Sequence, residues 1–352
     1  MPSLFITGAT GYIGGEVLYR IATTYPDLSI TALVRTSDKG AKVAAQFPSI
    51  RCVYGDLSST DLITTEASKA DIVVHTADCD DVSSANAIIA GMSQKEGKKG
   101  YLIHTSGTGI LSYPTTDRGT FGIQDSKTFD DWDGIQAVTN IPSHAIHRNV
   151  DSIILASSTQ HPTKIASAII CPPCIYGPGR GPDNKKSMQV YMMAAAALKR
   201  GKAFYIEEGT NVWTEIHVQD LSNVYLSLVE AALADGGKAT WNSEGYYFAE
   251  NGSFAWGDVG RGIGKIAKQK GLLETGEAEG VSVEEAGKMK PEGAGPYLWG
   301  TNSRCKAVRA RKLFGWEPVE KGLFELLEHM VDVEARDAGL VKGHAVVAAG
   351  EA

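Results

Sequence analysis

The chain has 352 residues, enough for one large α/β unit or two modest domains, and its 43% hydrophobic and 21% charged content is that of an ordinary globular protein. A formal charge of -7 with no basic stripe argues against nucleic-acid or anionic-membrane partners, which need clustered cations. No apolar run approaches the roughly 20 residues that span a bilayer. Ahead of the first strand there is no leader pattern, and five cysteines make no disulfide framework, so a cytoplasmic protein with a small-molecule ligand is expected.

Short apolar runs alternate with amphipathic stretches over the first half, the rhythm of βαβ units on a parallel sheet. Strands are expected at 4–7, 30–34, 50–54, 72–76, 101–105 and 165–171, all rich in Ile, Val and Leu as in strands covered on both faces. Helices are expected between them, at 13–23 and 85–95 among others. The polar stretch 113–140 reads as an inserted loop, and Ser143 is placed as the N-cap of a helix running to about 156. Four prolines and three glycines between 172 and 182 predict a loop without regular structure. Further helices follow at 188–199, 221–234 and 259–270, and a weakly patterned tail at 341–352 should fray. The division expected is a cofactor-binding unit at 1–171 and a smaller substrate unit at 172–340, interleaved with the first.

The first strand runs into Ile6-Thr7-Gly8-Ala9-Thr10-Gly11-Tyr12-Ile13-Gly14, which opens a helix. Gly8 permits a tight turn, Gly11 lets backbone approach a pyrophosphate, and Gly14 allows close helix–strand packing. The helix N-terminus then offers free N–H groups to phosphate. A lone glycine triplet is weak, but strand, turn and helix together define a Rossmann-type doubly wound sheet that binds a dinucleotide. At the end of strand two the chain reads Val34-Arg35-Thr36-Ser37, with no carboxylate before Asp38. Arg35 and Ser37 suit the extra phosphate of NADP(H) better than the ribose hydroxyl of NAD(H).

Later segments extend the pattern: Gly55-Asp56-Leu57, His75-Thr76-Ala77, Pro173-Cys174-Ile175-Tyr176-Gly177, His217-Val218-Gln219-Asp220-Leu221 and Leu313-Phe314-Gly315-Trp316. In this order they resemble the extended short-chain dehydrogenase/reductase family, the group of sugar-nucleotide epimerases and dihydroflavonol-type reductases. The resemblance implies an α/β fold with a Rossmann domain and a smaller C-terminal substrate domain. It adds Thr7, Asp56, Leu57, His75, Thr76, Ala77, Thr105, Pro173, Ile175 and Tyr176 to the cofactor site, and family habit implies a homodimer.

Family members place a Ser or Thr after strand five, then a tyrosine four residues before a lysine. Here Ser106 and Thr108 supply the hydroxyl, but none of the thirteen tyrosines has a lysine four residues on. The corresponding stretch is Ser143-His144-Ala145-Ile146-His147-Arg148. Alignment on the family helix puts His144 at the tyrosine position and Arg148 at the lysine position, with His147 one turn away. Histidine transfers protons near neutral pH, and Arg148 would hold ribose hydroxyls without deprotonating. The expected catalytic set is therefore Ser106, Thr108, His144, His147 and Arg148.

Cys171-Pro172-Pro173-Cys174 has redox-like spacing but no helix N-terminus to favour a thiolate, so it is read as structural. No metal is expected, since His144 and His147 lack a third ligand of recognisable spacing. The acidic 125–133 stretch is read as a solvated loop. Of Trp213, Trp241, Trp256 and Trp299, most should be core, and one or two lining a pocket would favour an aromatic or terpenoid-like substrate over a sugar nucleotide. The function these features favour is NADP(H)-dependent oxidation or reduction of a small metabolite. A non-redox isomerase or cyclase, or an NADP(H)-sensing regulator without catalysis, are the alternatives.

Overall fold

In the computed structural model, which describes residues 2–341, the six apolar runs are parallel strands and a seventh joins them. They are β1 (Ser3–Thr7), β2 (Ser29–Val34), β3 (Arg51–Tyr54), β4 (Ile72–His75), β5 (Gly100–Thr105), β6 (Ile165–Cys171) and β7 (Tyr246–Phe248). Their spatial order is β7-β6-β5-β4-β1-β2-β3, every pair parallel. Every residue of β4, β5 and β6 is buried, which explains why these runs carry no polar alternation. β3, at the sheet edge, is only half-buried.

Strand order reverses at β1, which pairs with β2 on one side and β4 on the other. The carboxyl ends of these strands open a crevice where doubly wound folds bind their ligands. Helix Tyr12–Thr24 packs against helix Val218–Leu233 on one face, and Thr60–Lys69 packs against Val82–Gln94 on the other. A second core is built by helices Gln189–Arg200, Trp256–Gln269 and Leu323–Asp337 around the strand pair Ala203–Ile206 and Ala278–Val281.

Several local expectations need correction. Tyr246-Tyr247-Phe248 returns to the main sheet beside β6, so the first core also draws on the second half of the chain, through Ile216, Tyr225 and Trp316 among others. The 172–182 loop contains a strand, Cys174–Tyr176, which pairs with Val212–His217. The 113–140 insertion is not a plain loop but holds helices Tyr113–Arg118 and Ile135–Thr139. Within it Asp131 is fully buried, because its carboxylate accepts N–H groups from Phe248, Val308 and Arg309 at 2.8–2.9 Å. Residues 342–352 of the expected tail lie outside the described residues. Among the described residues no helix is long and apolar enough to cross a membrane.

The helix expected from Ser143 begins instead at Arg148 and runs to Gln160. Its N-cap is His147, at φ 66, a left-handed conformation uncommon for a residue with a side chain. Residues 143–147 are therefore a turn, and alignment along a continuous helix misplaces them. That displacement decides the site.

Candidate functional site

The glycine loop is built as its residues suggest. Gly8 has φ 77 and its carbonyl accepts the Gly11 N–H at 2.8 Å. Gly11 is the N-cap of helix Tyr12–Thr24 and no side chain caps it, so first-turn N–H groups remain for an anion. A Cβ on Gly14 would stand 2.2 Å from Thr76 Oγ1 and 2.3 Å from the Gly8 carbonyl oxygen, so only glycine lets helix and strand approach this closely.

Beside this turn lies a cavity of about 630 Å³. Of the expected cofactor residues, Gly8, Thr10, Gly11, Arg35, Asp56, Leu57, Thr76 and Ala77 line it. Lys39 and Ser58 line it too, although sequence reasoning passed over them. Exposed Arg35 makes no ion pair among the described residues, whereas Lys39 lies 3.4 Å from Asp183. Asp56 is held below the usual carboxylate range by hydrogen bonds from Ser58, with Ser59 adding to them.

Other expected cofactor residues support the cavity without lining it. Thr7 Oγ1 and His75 Nδ1 are hydrogen-bonded at 2.7 Å beneath its floor. Burial lowers the His75 pKa to about 4, so this ring is neutral. Ser37 starts helix Ser37–Gln46, whose N-cap is Thr36, and does not reach the cavity. Thr105 is buried against Tyr225, its Oγ1 2.6 Å from the phenol oxygen. Tyr176 turns the other way and donates to the Lys321 carbonyl at 3.0 Å.

The Pro/Gly loop crosses this region. Arg180 anchors it, donating from its backbone N–H at 2.7 Å and its Nε at 2.9 Å to fully buried Glu16. Tyr12 adds a hydrogen bond to the Gly177 carbonyl at 2.6 Å. Asn184 is thereby brought to the Thr10 carbonyl, 3.3 Å from its N–H.

Thr76 and Asn184 also line a second cavity, of about 530 Å³. Tyr12, Ile13, Pro173 and Ile175 line it as expected, and so do Ser106, Thr108 and His147. Ser106 Oγ lies 3.0 Å from Asp151 Oδ2, which also accepts the Tyr246 phenol at 2.9 Å. Burial raises the Asp151 pKa to about 6 despite these bonds. Thr108 is committed to Ser303, 2.8 Å between hydroxyl oxygens.

His147 is the histidine in this cavity. Its Nδ1 lies 3.0 Å from both oxygens of Asp80 and 3.3 Å from Cys79 Sγ. Its Nε2 end packs over the Gly107–Gly109 backbone, where an added Cβ on either glycine would be 3.1 or 3.3 Å away. Burial opposes charge on this ring, but the hydrogen bonds to Asp80 and Cys79, with the Asp80 charge, prevail and raise its pKa to about 10. His147 is thus an imidazolium at neutral pH, with Nδ1 engaged and Nε2 beside the cavity. The ligand atoms of Cys79, Asp80 and His147 fall within 4.8 Å of one another, a third-ligand set that spacing did not reveal. Hydrogen bonding already accounts for that proximity.

His144 and Arg148 are not where the alignment put them. His144 is exposed, bonded through Nε2 to Asp117 at 2.9 Å, and lines neither cavity. Arg148 donates to the Thr139 carbonyl at 2.7 Å, bracing the inserted segment. Sequence reasoning also missed Cys79, Asp80 and Asp151. The carboxylate run after β4 was the available signal for the first two, and i+4 spacing from His147 for the third.

Fold, glycine turn and the cavity beside it define a dinucleotide-binding α/β protein. A family model described as NAD(P)H-binding matches residues 8–132. The oxidase ucsJ of Acremonium sp is 32% identical over 345 residues, covering 96% of this chain and 99% of that protein. An uncharacterized protein of Saccharomyces cerevisiae, YLL056C, is 23% identical over 337 residues, covering 92% and 96%. Among solved structures, UDP-glucose 4-epimerase of Thermotoga maritima, with UDP-glucose, has a TM-score of 0.63 at 14% identity and coverage of 96% and 99%. A dTDP-glucose 4,6-dehydratase of Streptomyces venezuelae, with NAD, has a TM-score of 0.65 at 17% identity and coverage of 97% and 99%. The chain belongs to the same family as the oxidase ucsJ, carries an NAD(P)H-binding domain, and has the fold of these epimerase and dehydratase structures.

Proposed function

We propose that this protein is an NADP(H)-dependent oxidoreductase acting on a carbonyl or alcohol of a small organic molecule, with His147 as the proton-transfer residue. The observation that carries this reading is that the cavity beside the glycine turn and the cavity lined by Ser106 and His147 share Thr76 and Asn184 in their walls. The dinucleotide would lie along the first cavity, and its nicotinamide would supply or accept the hydride. NADP(H) is favoured over NAD(H) by two cations, Arg35 and Lys39, in the cavity wall near the end of β2.

In the reductive direction His147, cationic and held at Nδ1, gives the Nε2 proton to the substrate oxygen as the alcohol forms. In the oxidative direction the neutral ring takes it back. Ser106 polarises the same oxygen. While Asp151 is ionised it accepts the Ser106 hydroxyl proton. When Asp151 is protonated the bond reverses, and the Ser106 O–H is free for the substrate.

The test is NADPH oxidation against a panel of aldehydes and ketones, with wild type, His147→Gln and His144→Ala compared. Loss of a positioned acid lowers kcat by about 10²–10⁴-fold, so His147→Gln should fall by that order while His144→Ala stays at wild-type rate. Unchanged turnover in His147→Gln refutes the assignment. Tight NADPH binding with no turnover on any substrate would favour the sensing role, and product formation without nicotinamide the isomerase.

A further inference from the structure

The wall of the second cavity is of two kinds. Ser106, Cys79 and His147 supply polar groups, whereas much of the remaining wall is apolar, with Pro172, Ile175, Trp213 and Leu298, and the polar side chains among it are mostly engaged elsewhere. Three of its lining residues, Ile146, Met188 and Tyr297, are 50%, 57% and 54% exposed. Large apolar side chains left this exposed in the wall of one cavity mark a ligand-binding surface.

Charge is as informative. Lys186 is the sole lysine or arginine among the residues lining this cavity, and its Nζ is spent on Glu334 at 2.9 Å and Asp337 at 2.6 Å. His147 is spent on Asp80. Among the described residues that line the cavity, no lysine or arginine is unpaired and no cations cluster, whereas a diphosphate needs forked or clustered positive groups. Other polar side chains are also committed: Ser187 Oγ to the Ile175 carbonyl, and Gln189 Nε2 to the Leu298 carbonyl at 3.1 Å.

We propose that this cavity takes an uncharged, predominantly apolar ketone, aldehyde or alcohol, entering between Ile146, Met188 and Tyr297 with its oxygen toward Ser106 and His147, and that it does not take a nucleotide sugar. The orientation rests on the functional reading above, whereas the polarity of the ligand does not. Burial of its carbon skeleton against the apolar wall supplies the affinity, and one oxygen supplies the orientation.

Equilibrium binding to the NADP⁺-loaded full chain tests this without requiring turnover. The probe is Nile red, an uncharged apolar dye, displaced by 4-phenylcyclohexanone or by UDP-glucose. The ketone should displace the dye and UDP-glucose should not. Met188→Lys and Tyr297→Ser, both at exposed positions, should each weaken ketone binding by about fivefold or more, as expected for losing apolar surface that the ligand covers, with NADP⁺ affinity and thermal melts unchanged. UDP-glucose competing more strongly than the ketone, or ketone affinity untouched by both substitutions, overturns the proposal. Ketone binding without hydride transfer refutes the oxidoreductase reading and leaves the substrate class standing. Turnover of a nucleotide sugar does the reverse.

Discussion

Asp80→Asn isolates the electrostatics of His147 at almost constant shape. The carboxylate lies 3.0 Å from Nδ1, and together with Cys79 it outweighs the burial that would discharge the ring, giving a pKa of about 10. An ordinary histidine of pKa ~6.5 is only about 1% protonated at about pH 8.5, whereas one of pKa about 10 is almost wholly protonated. Reduction by the variant at about pH 8.5 should therefore fall by roughly tenfold or more, and by more still where burial takes the ring below 6.5, while the loss near pH 5.5 should be at least about tenfold smaller. Proton NMR titration of the ring measures the pKa directly and needs no substrate, and kcat/KM across pH 5.5–9.5 measures its consequence. The sign also holds for stability: a raised folded pKa stabilises fully below about 6.5, and that contribution is lost as pH rises through about 10. Equal losses of activity at both pH values, or an unmoved ring titration, would refute the reasoning.

Three further substitutions address the rest of the site. Gly14→Val should destabilise the fold by about 1–3 kcal/mol or more and abolish NADPH fluorescence enhancement, because its Cβ meets Thr76 Oγ1 at 2.2 Å; thermal melts and cofactor titration read both. Arg35→Ala should weaken NADP(H) by about tenfold or more with little change for NAD(H), and equal loss for both would place the residue outside a phosphate site. Asp151 has a folded pKa of about 6, so its protonated form stabilises the protein below about pH 4 and that contribution is lost as pH rises through 6. Asp151→Asn should then gain stability relative to wild type between about pH 4 and pH 7, by up to about 3 kcal/mol, less what its hydrogen bonds to Ser106 and Tyr246 contribute; a difference in Tm independent of pH would sink this account.

Most of the first half was legible from residues alone because its signals are local. Continuous Ile/Val/Leu runs become fully buried strands, and the Gly8–Gly14 spacing serves a turn whose close contacts no other residue permits. β7 escaped notice because three aromatic residues make no periodic pattern, and the strand is defined by pairing with β6 and by core contacts distant in sequence. Asp131 looked like part of a solvated run, yet three backbone N–H groups from distant segments bury it. Alignment puts His144 at the tyrosine position only if a helix continues through residues 143–147, where the chain instead turns, with His147 in the left-handed conformation.

Sequence by itself determined the parallel sheet, the dinucleotide turn and the absence of a tyrosine–lysine pair, since each depends on residues near one another in the chain. Only tertiary structure decided which histidine faces the cavity. It brought Asp80, from the segment after β4, to a histidine 67 residues later, and set Asp151 behind Ser106 across 45 residues. Proton affinity at these groups follows from burial and from neighbours that meet only when the sheet assembles, and no spacing along the chain encodes those distances.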